Sequence, residues 1–326
     1  MELRTRNIIR NAWKFQPLQK DSIIIVVQAR SRTEYLALLI QSLTKITGIG
    51  EVLLIFSHDY YSEEINKLVK EIDFCKVLQI FFPHSLQLHP SEFPGHDPKD
   101  VHPDANGNYR NAENTQKKHH WWWTAGQVFD ELLATASHTG FVFFFDDDHY
   151  ASKDFLHVAK LLIASVPSTC PYCKLLSLGN DDPTLNEHTA DEIIIQHWKY
   201  DMTVGMKRST WREIKNCMEK FCNYDDYNWS WSLYHASKTC LPGDFLTAFA
   251  HGSRLAKLDG GLHEVKENCG RDRLQFIQEQ YVVTSKKLFP ESLTFHEEDE
   301  DVSDYKPNGG WSDPRDVKLC MKMVTQ

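Results

Sequence analysis

Three adjacent carboxylates, Asp146-Asp147-Asp148, followed by His149, close an apolar run at 141–145. A short unbroken apolar run of this kind reads as a buried strand. Ligands of open α/β sheets gather outside the carboxyl ends of the strands, which is where the triplet falls. Carboxylates placed there are hard oxygen ligands for Mn2+ or Mg2+, and such an ion clamps a diphosphate. The alternative is a solvated acidic turn. A second chemical candidate leaves the end of the apolar run at 23–27, as Gln28-Ala29-Arg30-Ser31-Arg32. Arg30 and Arg32 could meet a phosphate or a base, or could form a helix-capping surface. No GxGxxG follows that run and no GxxxxGK[ST] occurs anywhere, so neither a dinucleotide fingerprint nor a P-loop is supported.

These groups need a scaffold, and the first half of the chain supplies one by alternation. Strands are expected at 23–27, 52–56, 76–82, 141–145 and 174–178. Helices are expected from 33 to a stop at Gly48, around 65–72, over 112–136 and over 154–163. Strand–helix–strand repeats imply right-handed crossovers and a mostly parallel sheet covered on both faces. Residues 83–109, rich in Pro, His, Asp, Gly and Asn, read as a long surface loop and a plausible lid. Beyond about Gly179 the alternation weakens, and short helices at 209–220 and 226–236 sit among loops. Trp121, Trp122 and Trp123 cannot share one helical face, so at least one should point toward the site or the long loop.

Composition narrows the classes. The 326 residues make one large α/β unit or two average domains. The net charge of −9 argues against a general nucleic-acid binder. The longest apolar runs fall far short of the roughly 20 residues a bilayer needs, and the Met-Glu-Leu-Arg start shows no signal peptide. Nine Trp suit either the stacking of flat apolar faces of sugars and bases or a Trp-rich core. Of eight cysteines, Cys170 and Cys173 form a CxxC pair that reads as half a zinc site or a redox pair, with no second ligand pair at suitable spacing. Five of the eight lie at 217 or later, in loop-rich sequence that gains from cross-links. A secretory-pathway lumen is therefore favoured over a reducing cytosol.

An ordered series of motifs then resembles one family. It comprises QARSR (28–32), IFSHDYYSEEIN (55–66), LQIFFPHSLQLHPSEFPG (78–95), TQKKHHWWWT (115–124), FVFFFDDDHYASKDFLHV (141–158), CPYCKLLSLG (170–179), FCNYDDYNWSW (221–231) and NGGWSDPRDVKLC (308–320). Together they closely resemble the N-acetylglucosaminyltransferase II family from about Ser22 to Cys320. The resemblance implies a GT-A glycosyltransferase fold, with residues 1–20 a stem remnant or linker and 21–326 one catalytic domain. Within it, 21–180 would bind the nucleotide sugar and a loop-rich 181–326 the acceptor. It implies inverting transfer of GlcNAc from UDP-GlcNAc to O2 of the α1,6-arm mannose of N-glycans. It also implies Mn2+ with Mg2+ as a substitute, a Golgi-luminal type II membrane protein whose anchor this chain would lack, and possible homo-oligomers. Nucleic acid and membrane contact by the chain itself are not expected.

Carried over by position, Gln28, Ala29, Arg30, Ser31, Arg32 and Asp59 would hold uridine and ribose, and Gln116, Lys117, Lys118, His119 and His120 would contact the nucleotide sugar, with Asp147 beside them. Asp148 would be the metal ligand, where the family usually reads Glu-Glu-Asp. His251 would be the second, with His263 in reserve. Trp229 and Trp231 would stack acceptor sugars. The resemblance pairs Cys170–Cys173, Cys217–Cys240 and Cys222–Cys320, and leaves Cys75 and Cys269 without partners, since the family's partner of Cys269 is Gly260 here. The family's base is the Asp of Tyr-Asn-Trp-Asp-Trp, and here that position is Ser230. A hydroxyl cannot take the acceptor proton at neutral pH, so Asp226, Asp225, Asp146 or Asp147 would substitute, or turnover would be slow, or the chain would bind without turnover. Asn228-Trp229-Ser230 is also a nominal glycosylation sequon, at which no glycan is expected in a cleft motif.

Overall fold

The computed structural model describes residues 8–100, 103, 107–179, 189–198, 203–241, 245–258, 269–298 and 306–325. The chain begins with three β–α units. These are β1 (Ile24–Ala29), α1 (Thr33–Leu43), β2 (Leu53–His58), α2 (Glu63–Lys70), β3 (Lys76–Phe81) and α3 (Ala112–Gly126). Then come β4 (Val142–Asp146), β5 (His149–Ala151), α4 (Phe155–Thr169), β6 (Leu175–Ser177), β7 (Glu192–His197) and β8 (Val204–Met206). The remainder is α5 (Arg208–Asn216), α6 (Met218–Asn223), α7 (Trp229–Thr239), β9 (Leu246–Ala250), β10 (Leu255–Lys257), α8 (Cys269–Val283), β11 (Thr294–Glu297) and α9 (Pro314–Lys322).

The period of two along β1 explains the layering. Ile25 and Val27 face one apolar cluster with α1, α2 and α4, while Ile24 and Val26 face another with α3, α5, α6 and α9. A strand buried on both faces needs apolar residues at every position, which is why 23–27 is continuous rather than alternating. The nine strands run in the order β11-β7-β9-β6-β8-β4-β1-β2-β3. β1 pairs in parallel with β2 and β4, and β2 with β3, so the carboxyl ends of β1, β2 and β4 share one edge. This is the mostly parallel α/β architecture expected of a GT-A fold.

Past Gly179 the structure has more strand than the weakened alternation suggested. β8 runs antiparallel between β4 and β6, and β7, β9 and β11 extend the same sheet. A three-residue strand is too short to show a period. β8 also needs Gly205, because a Cβ there would stand 2.4 Å from a ring carbon of Phe143. The expected helix at 112–136 stops at Gly126 and continues as a π turn and a 3-10 turn. That at 209–220 is broken at Cys217, and that at 226–236 starts later, where the Asn228 side chain accepts from the Ser230 N–H. The helix expected to end at 163 runs on to Thr169. All three tryptophans at 121–123 are buried, because α3 packs against α7 and α9, with Trp121 also meeting Phe144 of the sheet and Trp121 and Trp122 meeting Phe221 of α6. Trp123 meets Phe82, at the root of the long loop.

The three disulfides are Cys170–Cys173, Cys217–Cys240 and Cys222–Cys320, and Cys75 is a buried free thiol. The Cys269 side chain, Gly260 and His263 lie outside the described residues. No helix among the described residues is long and apolar enough to cross a membrane.

Candidate active site

The acidic triplet sits at the shared edge, with Asp146 ending β4 opposite Gln28 of β1. The turn that displays it is closed by the Asp146 N–H donating to His149 Nδ1 at 2.8 Å. β5 then pairs with β10, and the Leu258 N–H donates to the Asp148 carbonyl at 2.7 Å. Asp147 and Asp148 are buried, and Asp146 is partly exposed.

Arg30 and Arg32 face these carboxylates. Arg30 Nη2 lies 3.1 Å from Asp146 Oδ1, and the Arg30 N–H donates to Asp147 Oδ2 at 2.9 Å. Arg32 spans two acids, with Nη2 2.5 Å from Asp147 Oδ1 and Nη1 3.0 Å from Asp148 Oδ2. Burial works against the Asp146 anion, but Arg30, His149, Lys257 and Arg32 outweigh it and hold its pKa at about 2. Burial wins at Asp147, whose pKa lies above the usual carboxylate value despite both arginines. Lys257 went unnoticed in the sequence because β10 is too short to announce itself, yet its charge reaches Asp146.

Three buried polar atoms in this crevice have no hydrogen-bond partner: Gln28 Nε2, Arg30 Nε and Asp148 Oδ1. Such atoms are costly in a folded protein unless a ligand or an ordered water satisfies them. Two are donors suited to an anionic, oxygen-rich ligand, and the third is an anionic oxygen suited to a hard cation. Beside them, Asp59 Oδ2 accepts from Gln116 Nε2 at 3.0 Å, and burial, opposed by Arg30, raises its pKa to about 6. Lys117 is exposed and within electrostatic reach of Arg30, Arg32 and Asp146. Ala29 is buried and Ser31 exposed.

The remaining members of the 116–120 run turn away, as a 100° step per residue requires. Lys118 is fully buried and donates to the Tyr224 and Asp226 carbonyls at 3.0 and 2.9 Å, over the Trp311 ring. Burial lowers its pKa well below the usual lysine value. His119 Nε2 bonds to the Asp316 carbonyl, and burial pushes its pKa down to about 3. His120 lies behind Asp59, with Nε2 2.8 Å from Ser57 Oγ.

Asp226 does not present an open carboxylate. It is buried, Oδ1 accepts from the Asn228 N–H at 2.8 Å, and Oδ2 accepts from the Asn308 N–H at 3.0 Å. Each oxygen thus helps hold the turn before α7, a structural duty that competes with the role of stand-in base expected for it. Asp225 is half-buried, with Oδ1 accepting from the Trp311 N–H. Ser230 is buried in the first turn of α7. Trp229 stacks on Trp121 at 4.3 Å with rings 3° from parallel, so one of its faces belongs to the core. Trp231 remains partly buried, edge-on to Tyr234.

A family model described as N-acetylglucosaminyltransferase II matches residues 1–320. The chain belongs to the N-acetylglucosaminyltransferase II family. It is 38% identical to the rat protein named alpha-1,6-mannosyl-glycoprotein 2-beta-N-acetylglucosaminyltransferase, over 98% of this chain and 78% of that protein. The human protein of the same name is 37% identical over 98% of this chain and 77% of its own length, and that of Arabidopsis thaliana 30% over 97% and 78%. Among solved structures, S. aureus TarS 1-349 in complex with UDP-GlcNAc has a TM-score of 0.41 at 11% identity, covering 82% of this chain and 69% of that one.

For a member of the N-acetylglucosaminyltransferase II family, the fit of a divalent ion turns on Asp148. Its unpartnered, buried Oδ1 is an acceptor of the right hardness. The structure does not bring His251 to it. His251 follows β9, and β6 and β8 separate β9 from β4, roughly 14 Å at the usual strand spacing. The His251 ring instead bonds through Nδ1 to Glu192 Oε2 at 3.0 Å, on the side away from the triplet. Among the described residues, no group of three or more His, Cys, Asp or Glu forms a site that could hold a metal ion.

Proposed function

We propose that this member of the family transfers GlcNAc from UDP-GlcNAc to O2 of the α1,6-arm mannose of N-glycans in the Golgi lumen, with inversion, using Mn2+ or Mg2+ at Asp148. The observation that supports this most directly is the set of unsatisfied atoms Gln28 Nε2, Arg30 Nε and Asp148 Oδ1 at one sheet edge. A donor pair for an anion beside an acceptor for a cation is what a metal–diphosphate ligand needs. The reserve residue His263 is the second metal ligand in this reading: four residues separate it in sequence from Leu258, whose N–H bonds Asp148.

The chain's residues divide the work. Asp59 and Gln116 anchor the nucleoside end, and Arg30, Arg32 and Lys117 neutralise the phosphates. A divalent ion bound at Asp148 would supply Lewis-acid stabilisation of the leaving diphosphate. On the acceptor side, Trp231 offers a face to a sugar and Trp229 stiffens the motif. The hydroxyl at Ser230 cannot hold the acceptor proton, so transfer runs without a positioned carboxylate there and is slower by about 10²–10⁴-fold than with one.

Transfer of labelled GlcNAc from UDP-GlcNAc to a mannose-terminated glycan is expected to require Mn2+ or Mg2+ and to collapse in Asp148→Ala. Transfer that ignores both the metal and that substitution would overturn the proposal.

A further inference from the structure

Arg32 occupies an unusual position for a residue expected to meet the ligand. Its guanidinium bridges Asp147 Oδ1 at 2.5 Å and Asp148 Oδ2 at 3.0 Å, while the other oxygen of Asp148 is buried with no partner. One carboxylate thus offers one oxygen to a cation and has the other held by a fixed positive charge. A divalent ion at Oδ1 would sit a carboxylate's width from the guanidinium. In a buried crevice the repulsion between them is poorly screened by solvent and salt. Arg30 differs: it engages Asp146 through its side chain and Asp147 through its backbone.

We propose that Arg32 is an exchangeable counter-ion, held by the triplet until a nucleoside diphosphate draws it away from Asp148, so that metal and nucleotide bind with positive coupling. This rests on the metal–diphosphate reading above. A planar guanidinium matches phosphate as well as it matches carboxylate, so the diphosphate is an equivalent partner. The side chain is 27% exposed and lies 5.2 Å from the Tyr35 ring, giving it room at the mouth of the crevice and an aromatic face to rest on. Arg32 is then a positioning residue whose loss has opposite effects on the two ligands: metal alone binds better, and nucleotide alone binds worse. A purely structural role would weaken both.

The test is Mn2+ titration of the whole chain, read by the electron paramagnetic resonance of free Mn2+ with and without UDP, together with calorimetric UDP titration in chelator. Arg32→Gln is expected to bind Mn2+ alone roughly tenfold tighter than the wild type and UDP alone more weakly, with a smaller mutual enhancement. Arg32→Lys, which keeps a charge but loses the two-pronged fork, should fall between them and decides the matter if thermal melting shows the Gln variant to be unfolded. Mn2+ alone binding both variants no more tightly than the wild type would overturn the exchange while leaving the site reading intact. A wild-type chain that takes up no Mn2+ even with UDP would remove the site reading and the exchange together.

Discussion

Two of the proposed site residues set measurable behaviour through the proton affinity of their side chains. Burial, only partly offset by Arg30, holds the Asp59 carboxyl at about 6. A carboxylate that accepts hydrogen bonds from uridine or ribose must be ionised, and its ionised fraction falls as pH drops through that value. UDP-GlcNAc, which does not itself titrate in this range, is therefore expected to bind about tenfold more weakly at pH 5 than at pH 7. Calorimetry across that range checks this, and Asp59→Asn should flatten the profile. Ser230 makes the second prediction. Restoring the carboxylate with Ser230→Asp is expected to raise kcat by about 10²–10⁴-fold, while Asp225→Asn lowers the activity of the native chain only if that acid carries the proton. Equal turnover of the Ser230→Asp and native forms would show the position to be idle.

Helices and turns explain why some expected site residues are not at the site. Helix α3 presents Gln116 and Lys117 to the crevice, and Lys118 and His119 to the opposite side. Lys118 is therefore a buried strut between α3 and the carbonyls of residues 224 and 226. The same turn uses both oxygens of Asp226 to satisfy the N–H groups of Asn228 and Asn308. Asp226→Asn leaves a donor facing a donor at one of them, and is expected to lower unfolding free energy in denaturant by about 1–3 kcal/mol. A variant as stable as the parent but inactive would instead return Asp226 to the chemistry. The helix boundaries misread in this region have one cause: Cys217, Asp226 and Asn228 end and start helices through cross-links and caps that periodicity does not show.

Considered as a whole, the molecule ties its C-terminal helix back to the interior of the chain. Cys222 on α6 is bonded to Cys320 on α9, 98 residues later, and the two tryptophans that flank this bridge donate to its carbonyls. The long loop is likewise tied to α9. Arg110 pairs with Asp316 and Asp100, and Arg315 with Asp97, Asp100 and Asp313, with the Phe93 ring within cation–π distance of both guanidinium groups. A loop of that length closed by one disulfide is where cross-linking restricts the unfolded chain most. Cys320→Ser is expected to lose about 2–5 kcal/mol in non-reducing denaturant titration. A loss near zero would mean that the ion-pair network alone holds α9 in place.

Fold class, the strands of the first half, the acidic triplet, the two arginines before α1 and the family were all readable along the chain. Each is written in consecutive residues: a doubly buried strand must be apolar throughout, and a motif keeps its order. Tertiary structure alone decided that β7, β8, β9 and β11 complete the sheet, that His251 turns to Glu192 and Asp226 to backbone amides, and that Arg32 grips two acids at once. Most of those outcomes depend on partners far along the chain, from Glu192, 59 positions from His251, to Asp147, 115 positions from Arg32, and a one-dimensional pattern holds no record of which distant groups satisfy a buried charge.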